Sequence, residues 1–328
     1  MDETTVPEIS LIGSGSISQY HVPALEAVGL EVKAVASMNP DSSTVEDFAR
    51  KFDIPETYRG EDWREMVVND RWDGVVIATH ISGTPNALRH SMKTGVPILV
   101  EKPVGWTAET IQSIRQDAHD QVLVGYNRRY YRPLREARDF LSDHRPVMAT
   151  IELPAASGIE SFIDMSSHGI DTLRYLFGEL DVLDTHTFTH DDNLRGFTST
   201  LESDNDDLIT IIGNWEASSN IELNLDYYDT RYQVKPYEKA KLFKDFDVKE
   251  PTPEMPVRRY QPRVTEVINL QDEDKQFKPG FYMQALEFKN MITGHPPDGH
   301  SATLYDAEKV LQLCESLLPD HLPLEKSQ

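Results

Sequence analysis

Two patterns alternate along the first 125 residues. Short apolar runs within Ile9–Ile12, Glu31–Ala36, Asp73–Thr79, Ile98–Val100 and Gln121–Gly125 suit strands buried on both faces. Between them, apolar positions recur at helical spacing over Ile17–Val28, Asp41–Phe52, Trp63–Val68, Asn86–Thr94 and Thr107–Ala118. In the second of these helices Val45, Phe48, Ala49 and Phe52 form the stripe, and Ser42 or Ser43 can cap it. Strand and helix in strict alternation predict a parallel, doubly wound α/β sheet.

The pattern changes further on. Thr185–Thr189, Phe197–Leu201, Leu208–Asn214 and Ile221–Tyr227 read as strands parted by Asp, Asn and Ser turns, which fits an antiparallel meander. Ser203–Asp207 reads as a solvated acidic hairpin tip; a calcium loop would need the glycine and terminal glutamate that are missing here. Helical stripes return at Ile163–Phe177, Pro279–Thr293 and Ala302–Leu317. Lys235–Lys278 carries five prolines (positions 236, 251, 253, 256 and 262) and many charges. It reads as a long loop over a substrate site or an arm gripping a neighbouring subunit, and Arg258, Arg259 and Arg263 would suit an anionic substrate. The change of pattern divides the chain into 1–125 and 126–328.

Charge narrows the partners. A net charge of -23 opposes nucleic acid and anionic membrane, whose phosphates it would repel. The basic, aromatic Tyr126–Arg132 is too short a patch to reverse that, and is better read as lining a substrate cleft, where Arg129 could take a carboxylate or phosphate. The single cysteine, Cys314, precludes an intrachain disulfide and reads as a core residue. Met1–Pro7 is polar and acidic rather than basic then apolar, and no apolar run reaches the ~20 residues of a membrane span, so the expectation is a cytoplasmic protein with frayed last residues.

Four stretches carry candidate chemistry. Gly13-Ser-Gly-Ser-Ile-Ser18 follows a strand and opens a helix. Its first glycine permits a tight turn, its second lets a pyrophosphate approach, and small Ser18 stands where a third glycine is usual. The helix then aims its first N–H groups at the phosphates. The second strand ends at Ser37-Met38-Asn39, with no acid at Ser37 to repel a 2′-phosphate, no arginine in its place, and Asp41 nearby. That leans toward NADP over NAD. Pro103 stops the strand Ile98–Val100 and leaves Lys102 at its carboxyl end, where open α/β sheets bind ligands. Asp164, His168 and Asp171 lie at i, i+4 and i+7, off the apolar face of their helix. They read either as a solvated Asp–His pair or as a site; two ligands on one helix make no metal centre, and none is expected.

The set formed by Gly13–Ser18 with His21 and Pro23, Val76-Ile-Ala-Thr79, Glu101-Lys-Pro103, Gly125-Tyr-Asn-Arg-Arg129 and Asp164-Met-Ser-Ser-His168-Gly-Ile-Asp171 resembles the Gfo/Idh/MocA oxidoreductases over the first half of the chain. The resemblance implies a Rossmann domain followed by an α/β domain with an open, mostly antiparallel sheet. It implies hydride transfer between NAD(P) and a secondary hydroxyl or keto carbon of a sugar, nucleotide sugar or cyclitol. It further implies a homodimer or homotetramer built through the open sheet. Implied cofactor contacts are Gly13, Gly15, Ser16, Ile17, Ser37, Thr79, His80, Glu101 and Lys102. Implied catalytic residues are Lys102, His168 and Asp164, with Arg129 as a further substrate contact. Two departures stand out: His80, Ile81 and Thr84 replace the family's Pro, Asn and His, and Glu160-Ser161-Phe162 replaces its glycines. A catalytically silent dinucleotide or sugar sensor on the same fold is the alternative.

Overall fold

A computed structural model of the protein describes residues 6–69, 71–117, 121–154, 161–215 and 217–322. The readings of Met1–Thr5, of the Ala118 helix end, of Glu160 and of the frayed carboxyl terminus lie outside these residues. The chain divides into two compact units, one taking in the chain up to Tyr130 and Asp272–Glu315, the other Tyr131–Gln271.

In the first unit, β1 (Glu8–Ile12), β2 (Glu31–Ser37), β3 (Glu56–Arg59), β4 (Gly74–Ile77), β5 (Ile98–Val100) and β6 (Val122–Val124) form one parallel sheet in the order β3-β2-β1-β4-β5-β6. This is the doubly wound order whose strand sequence reverses beside β1, where such sheets bind dinucleotides. Ile9, Leu11, Ile12, Val75, Val76, Ile98, Leu99 and Val100 are all buried, which is why these strands are apolar without alternation. Helices α1 (Ser18–Ala27), α2 (Thr44–Lys51), α3 (Trp63–Val67), α4 (Thr84–Ser91) and α5 (Ala108–Gln116) connect them. Thr107 caps α5, its hydroxyl accepting from the Thr110 N–H.

The unit is closed by chain from far downstream. Phe281, Ala285 and Phe288 of a helix at Phe281–Ile292 join the core of Ile9, Leu11, Leu25, Val28 and Val76. Ala302 accepts a hydrogen bond from the Val124 N–H (2.8 Å) at the β6 edge. Residues 281–315, expected with the second domain, therefore pack in the first unit, because their apolar stripe completes its core.

The second unit begins with α6 (Arg132–Asp143). Its eight-stranded sheet runs β14-β13-β12-β11-β7-β10-β9-β8. The strands are β7 (Met148–Leu153), β8 (Leu180–His190), β9 (Asn193–Ser203), β10 (Leu208–Asn214), β11 (Glu222–Tyr227), β12 (Thr230–Val234), β13 (Lys239–Lys249) and β14 (Arg259–Asn269). Among the described residues only β7 and β10 of this sheet pair parallel. Two expectations are corrected here. Most of 235–278 is the β13–β14 hairpin rather than a loop; β14 is an edge strand, where a proline such as Pro262 is tolerated. The Ser203–Asp207 turn is not solvated throughout, because Asp207 is fully buried, bonding Arg145 Nη1 (2.6 Å) and the Val147 N–H (2.9 Å).

α7 (Ser167–Phe177), which follows a π-helical turn at Phe162–Ser166, packs in this unit. The helices closing the first unit are α8 (Phe281–Ile292) and α9 (Leu304–Leu317). Cys314 in α9 is buried, as expected, and burial pushes its thiol pKa up, so it stays protonated. No helix of the described residues is long and apolar enough to cross a membrane.

Candidate active site

The carboxyl end of β1 is held from both sides. Gly13 N–H donates to Ala36 O (2.8 Å), and Ala78 N–H donates to Ile12 O (2.8 Å). Gly13 has φ +118, and a Cβ there would lie 2.2 Å from Ala78 O. The first glycine is thus demanded by the protein's own backbone. Gly15 differs: a Cβ there would meet nothing within 4 Å. Its missing side chain opens space that the protein does not fill. Gly15 and Ser16 are exposed, Ile17 is half-buried, and Ser18 is buried at the start of α1. The first N–H groups of a helix have no intrahelical carbonyl to reach; at α1 the Tyr20 N–H bonds back to Ile17 O (3.0 Å), and the N–H groups before it make this end favour an anion.

Gly13, Ser14, Gly15, Ser37, Met38, Asn39, Ser42, Thr44, Thr79 and His80 line one cleft of about 520 Å³. The sequence-predicted Gly13, Gly15, Ser37, Thr79 and His80 therefore come together. Neither a carboxylate nor a lysine or arginine is among its lining residues. Ser37 Oγ accepts from the Asn39 N–H (3.3 Å), and Asn39 Oδ1 from the Asp41 N–H (3.0 Å), which shapes the turn at the cleft's rim. The arginine sought near Ser37 stands one strand away: Arg59 is in register with Ser37. It is ion-paired with Glu46, whose carboxyl that bond holds below the usual range. His80 heads a tight turn, its carbonyl accepting from the Gly83 and Thr84 N–H groups (2.8 and 3.2 Å). Buried Thr84, at the family's histidine position, bonds the Thr79 hydroxyl (3.0 Å).

At the end of β5, Glu101 is 8% exposed and hydrogen-bonds through Oε1 to Nε2 of His21, itself 2% exposed (2.7 Å). Glu101 Oε2 accepts from the Lys102 N–H (3.3 Å). A Cβ at Gly125 would lie 3.0 Å from the Glu101 carboxyl carbon, so that glycine makes room for the carboxylate. Both carboxylate oxygens are thereby used to fix the backbone that carries Lys102. His21 belonged to the sequence motif but had no role there; its place in α1, just past the glycine turn, was the available signal. Arg129 is buried and spends its guanidinium inside the first unit, on Asp306 Oδ1 (3.1 Å) and Ser301 O (3.2 Å). Burial pushes the Asp306 carboxyl up, but the Arg129 charge and bonds from Thr303 outweigh it and hold it below the usual range.

In the second unit, Asp164 lies in the π-helical turn and His168 in the first turn of α7. Such turns are frequent at functional sites. Asp164 is exposed and His168 half-buried, whereas Asp171 is 1% exposed, so the three do not share one solvated face. A Cβ at Gly169 would lie 2.2 Å from Leu153 Cδ2, and that glycine lets α7 press onto β7 beside His168. The Thr172 hydroxyl donates to His168 O (2.8 Å).

Comparison with known proteins bears on the glycine turn and the strands around it. Residues 8–126 match a family described as the Gfo/Idh/MocA oxidoreductases with an NAD-binding Rossmann fold. Over those residues the chain resembles this family. It is 31% identical to the rhizopine catabolism protein MocA of Rhizobium meliloti over 190 residues, 52% of this chain and 57% of that protein. It is 26% identical to inositol 2-dehydrogenase of the same species over 192 residues, covering 54% and 57%. The chain thus spans about half the length of the curated relatives it matches. A levoglucosan dehydrogenase in complex with NADH and L-sorbose has the same fold, with TM-score 0.75, 16% identity and 96% of each chain covered.

Two glycines stand at the turn between β1 and α1, and the structure separates their duties. Gly13→Ala should lower the melting temperature by several degrees, because its Cβ collides with Ala78 O. Gly15→Val should melt like wild type yet lose nucleotide binding, followed by circular dichroism and NADH fluorescence titration. Equal loss of stability in both variants would contradict this division.

Proposed function

We propose that the protein is an NAD(P)-dependent dehydrogenase or reductase, moving hydride between nicotinamide and a secondary hydroxyl or keto carbon of a sugar, nucleotide sugar or cyclitol. The observation that carries the reading is Lys102, fixed at the carboxyl end of β5 by buried Glu101 in the unit that holds the glycine-lined cleft. The open space at Gly15 and the polar, uncharged lining fit a dinucleotide, with Gly13, Gly15, Ser16 and Ile17 toward its diphosphate and Ser37, Thr79, His80 and Glu101 as further contacts. When bound, the nicotinamide supplies the hydride acceptor or donor. The first unit is the dinucleotide-binding part, and the second, with its large sheet, the substrate-binding and oligomerising part.

Lys102 bonds the substrate oxygen and stabilises the negative charge that develops there. His168 exchanges the hydroxyl proton, a task for which an imidazole is the side chain best suited near neutrality. Asp164 orients the substrate or His168. Arg129 is assigned to holding Asp306 and Ser301 rather than substrate, because its buried guanidinium already has those partners. Retention of Lys102, Asp164 and His168 favours an enzyme over a silent sensor. A panel of polyols and keto-sugars with NAD(P)H tests this, and binding without turnover across it would favour the sensor. His168→Ala and Lys102→Ala should each cut turnover about 100- to 10,000-fold at near wild-type cofactor affinity. Turnover within about threefold of wild type in both, with chemistry limiting, would refute the assignment.

With no acid at Ser37, the reading leans to NADP, although the family description and the levoglucosan dehydrogenase complex name NAD and NADH. Ser37→Asp should then shift preference toward NAD by repelling a 2′-phosphate. A wild type that binds NAD about tenfold tighter, roughly 1.4 kcal/mol, would reverse the lean.

Exposed Met148, Leu208, Ile212, Phe246, Val264 and Val267 lie on strands of the large sheet, and covering such apolar surface on a second copy removes it from water. Light scattering should give the mass of a homodimer or homotetramer; a stable monomer at micromolar concentration would rule this out.

A further inference from the structure

One cation in the first unit has no carboxylate of its own. The Lys278 ammonium makes no hydrogen bond or ion pair among the described residues; it lies over the rings of Tyr20 (4.7 Å to centroid) and Phe281 (5.6 Å). Tyr20 stands in the first turn of α1, immediately after the glycine turn. Phe281 begins α8, and its ring lies 4.8 Å from that of His21, which in turn bonds Glu101. The same residues that reach the phosphate turn therefore reach the backbone of Lys102.

The loop presenting Lys278 is also rigid. Asp274, 6% exposed, accepts from the Gly280 N–H (2.6 Å), and Asn127 Nδ2 donates to Pro279 O (2.8 Å). Burial pulls the Lys278 ammonium below the ordinary lysine range; Glu101 opposes this, and the like charges of Lys102 and Arg128 add to the fall. The partly desolvated ammonium thus shares the field of one carboxylate, Glu101, with the cations Lys102 and Arg128, and its exposed side is open to a further anion.

We propose that Lys278 is an anion-binding residue of the active site, taking a phosphate group of the bound dinucleotide or an anionic group of the substrate. The inference rests on the dehydrogenase reading and deepens it by placing a second cation on the Lys102 side of the cofactor unit. Preorganisation by Asp274 and Asn127 lets the ammonium pair with the ligand at little ordering cost.

The test uses the full chain. Lys278→Glu, Lys278→Ala and Lys278→Arg are compared with Lys309→Glu, a matched charge change at another lysine held over a tyrosine ring (5.5 Å). NADH affinity is read by fluorescence, and inorganic phosphate is titrated into NADH-saturated protein by calorimetry. If the anion is the cofactor's, Lys278→Glu weakens NADH about tenfold or more, Lys278→Arg recovers most of the loss, and Lys309→Glu changes nothing. If it is the substrate's, NADH affinity holds, and phosphate binding seen in wild type is lost in Lys278→Glu and Lys278→Ala. NADH and phosphate behaving alike in wild type and Lys278→Glu would overturn the inference while leaving the dehydrogenase reading intact. A wild type that binds neither NADH nor NADPH would remove the reading itself, and the inference with it.

Discussion

A carboxylate buried at the end of a buried strand is the constraint around which the first unit is arranged. Glu101 can stay there only because His21 meets one oxygen and the Lys102 N–H the other. Removing one partner of such a buried contact costs on the order of 3 kcal/mol. The arrangement makes demands elsewhere: α1 must bring His21 over β5, position 125 must lack a side chain, and Phe281 must cover the imidazole. What results is a lysine whose main chain is fixed before any substrate arrives, the preorganisation that electrostatic catalysis needs.

The first unit was legible where burial is simplest. Ile9–Ile12 and Ile98–Val100 are covered on both faces, so their runs are continuous and their ends sharp. The glycine turn was equally plain, since only glycine suits φ +118 beside Ala78 O. The illegible parts depend on distant partners. His21 meets a residue 80 positions away, and Arg129 one 177 positions away, so neither role has a local signature. β13 and β14 escaped notice because much of their length is exposed, which frees them from the alternation a half-buried strand must keep. α6 was missed behind Arg132-Pro133, and β7 because Met148 faces solvent and spoils its apolar count.

The proposed dinucleotide site suggests how an acidic chain would accept a phosphate. Its lining carries no formal charge, and attraction is left to backbone N–H groups and the start of α1. The one arginine in register with Ser37 is bound by Glu46, so the rim of the cleft stays neutral. A neutral rim of this kind would admit either form of the proposed dinucleotide more readily than a fixed acid or a free arginine.

The return of residues 281–315 to the first unit has a consequence for how the protein is made. The core around Ile9, Leu11 and Val28 lacks Phe281, Ala285 and Phe288 until the chain has been extended through all of the second unit. During synthesis the nascent first unit must therefore persist with an apolar face uncovered while some 140 further residues emerge, roughly 7–28 s at ~5–20 residues per second. Order of manufacture and order of assembly are opposed in this chain: the part made first is the part finished last.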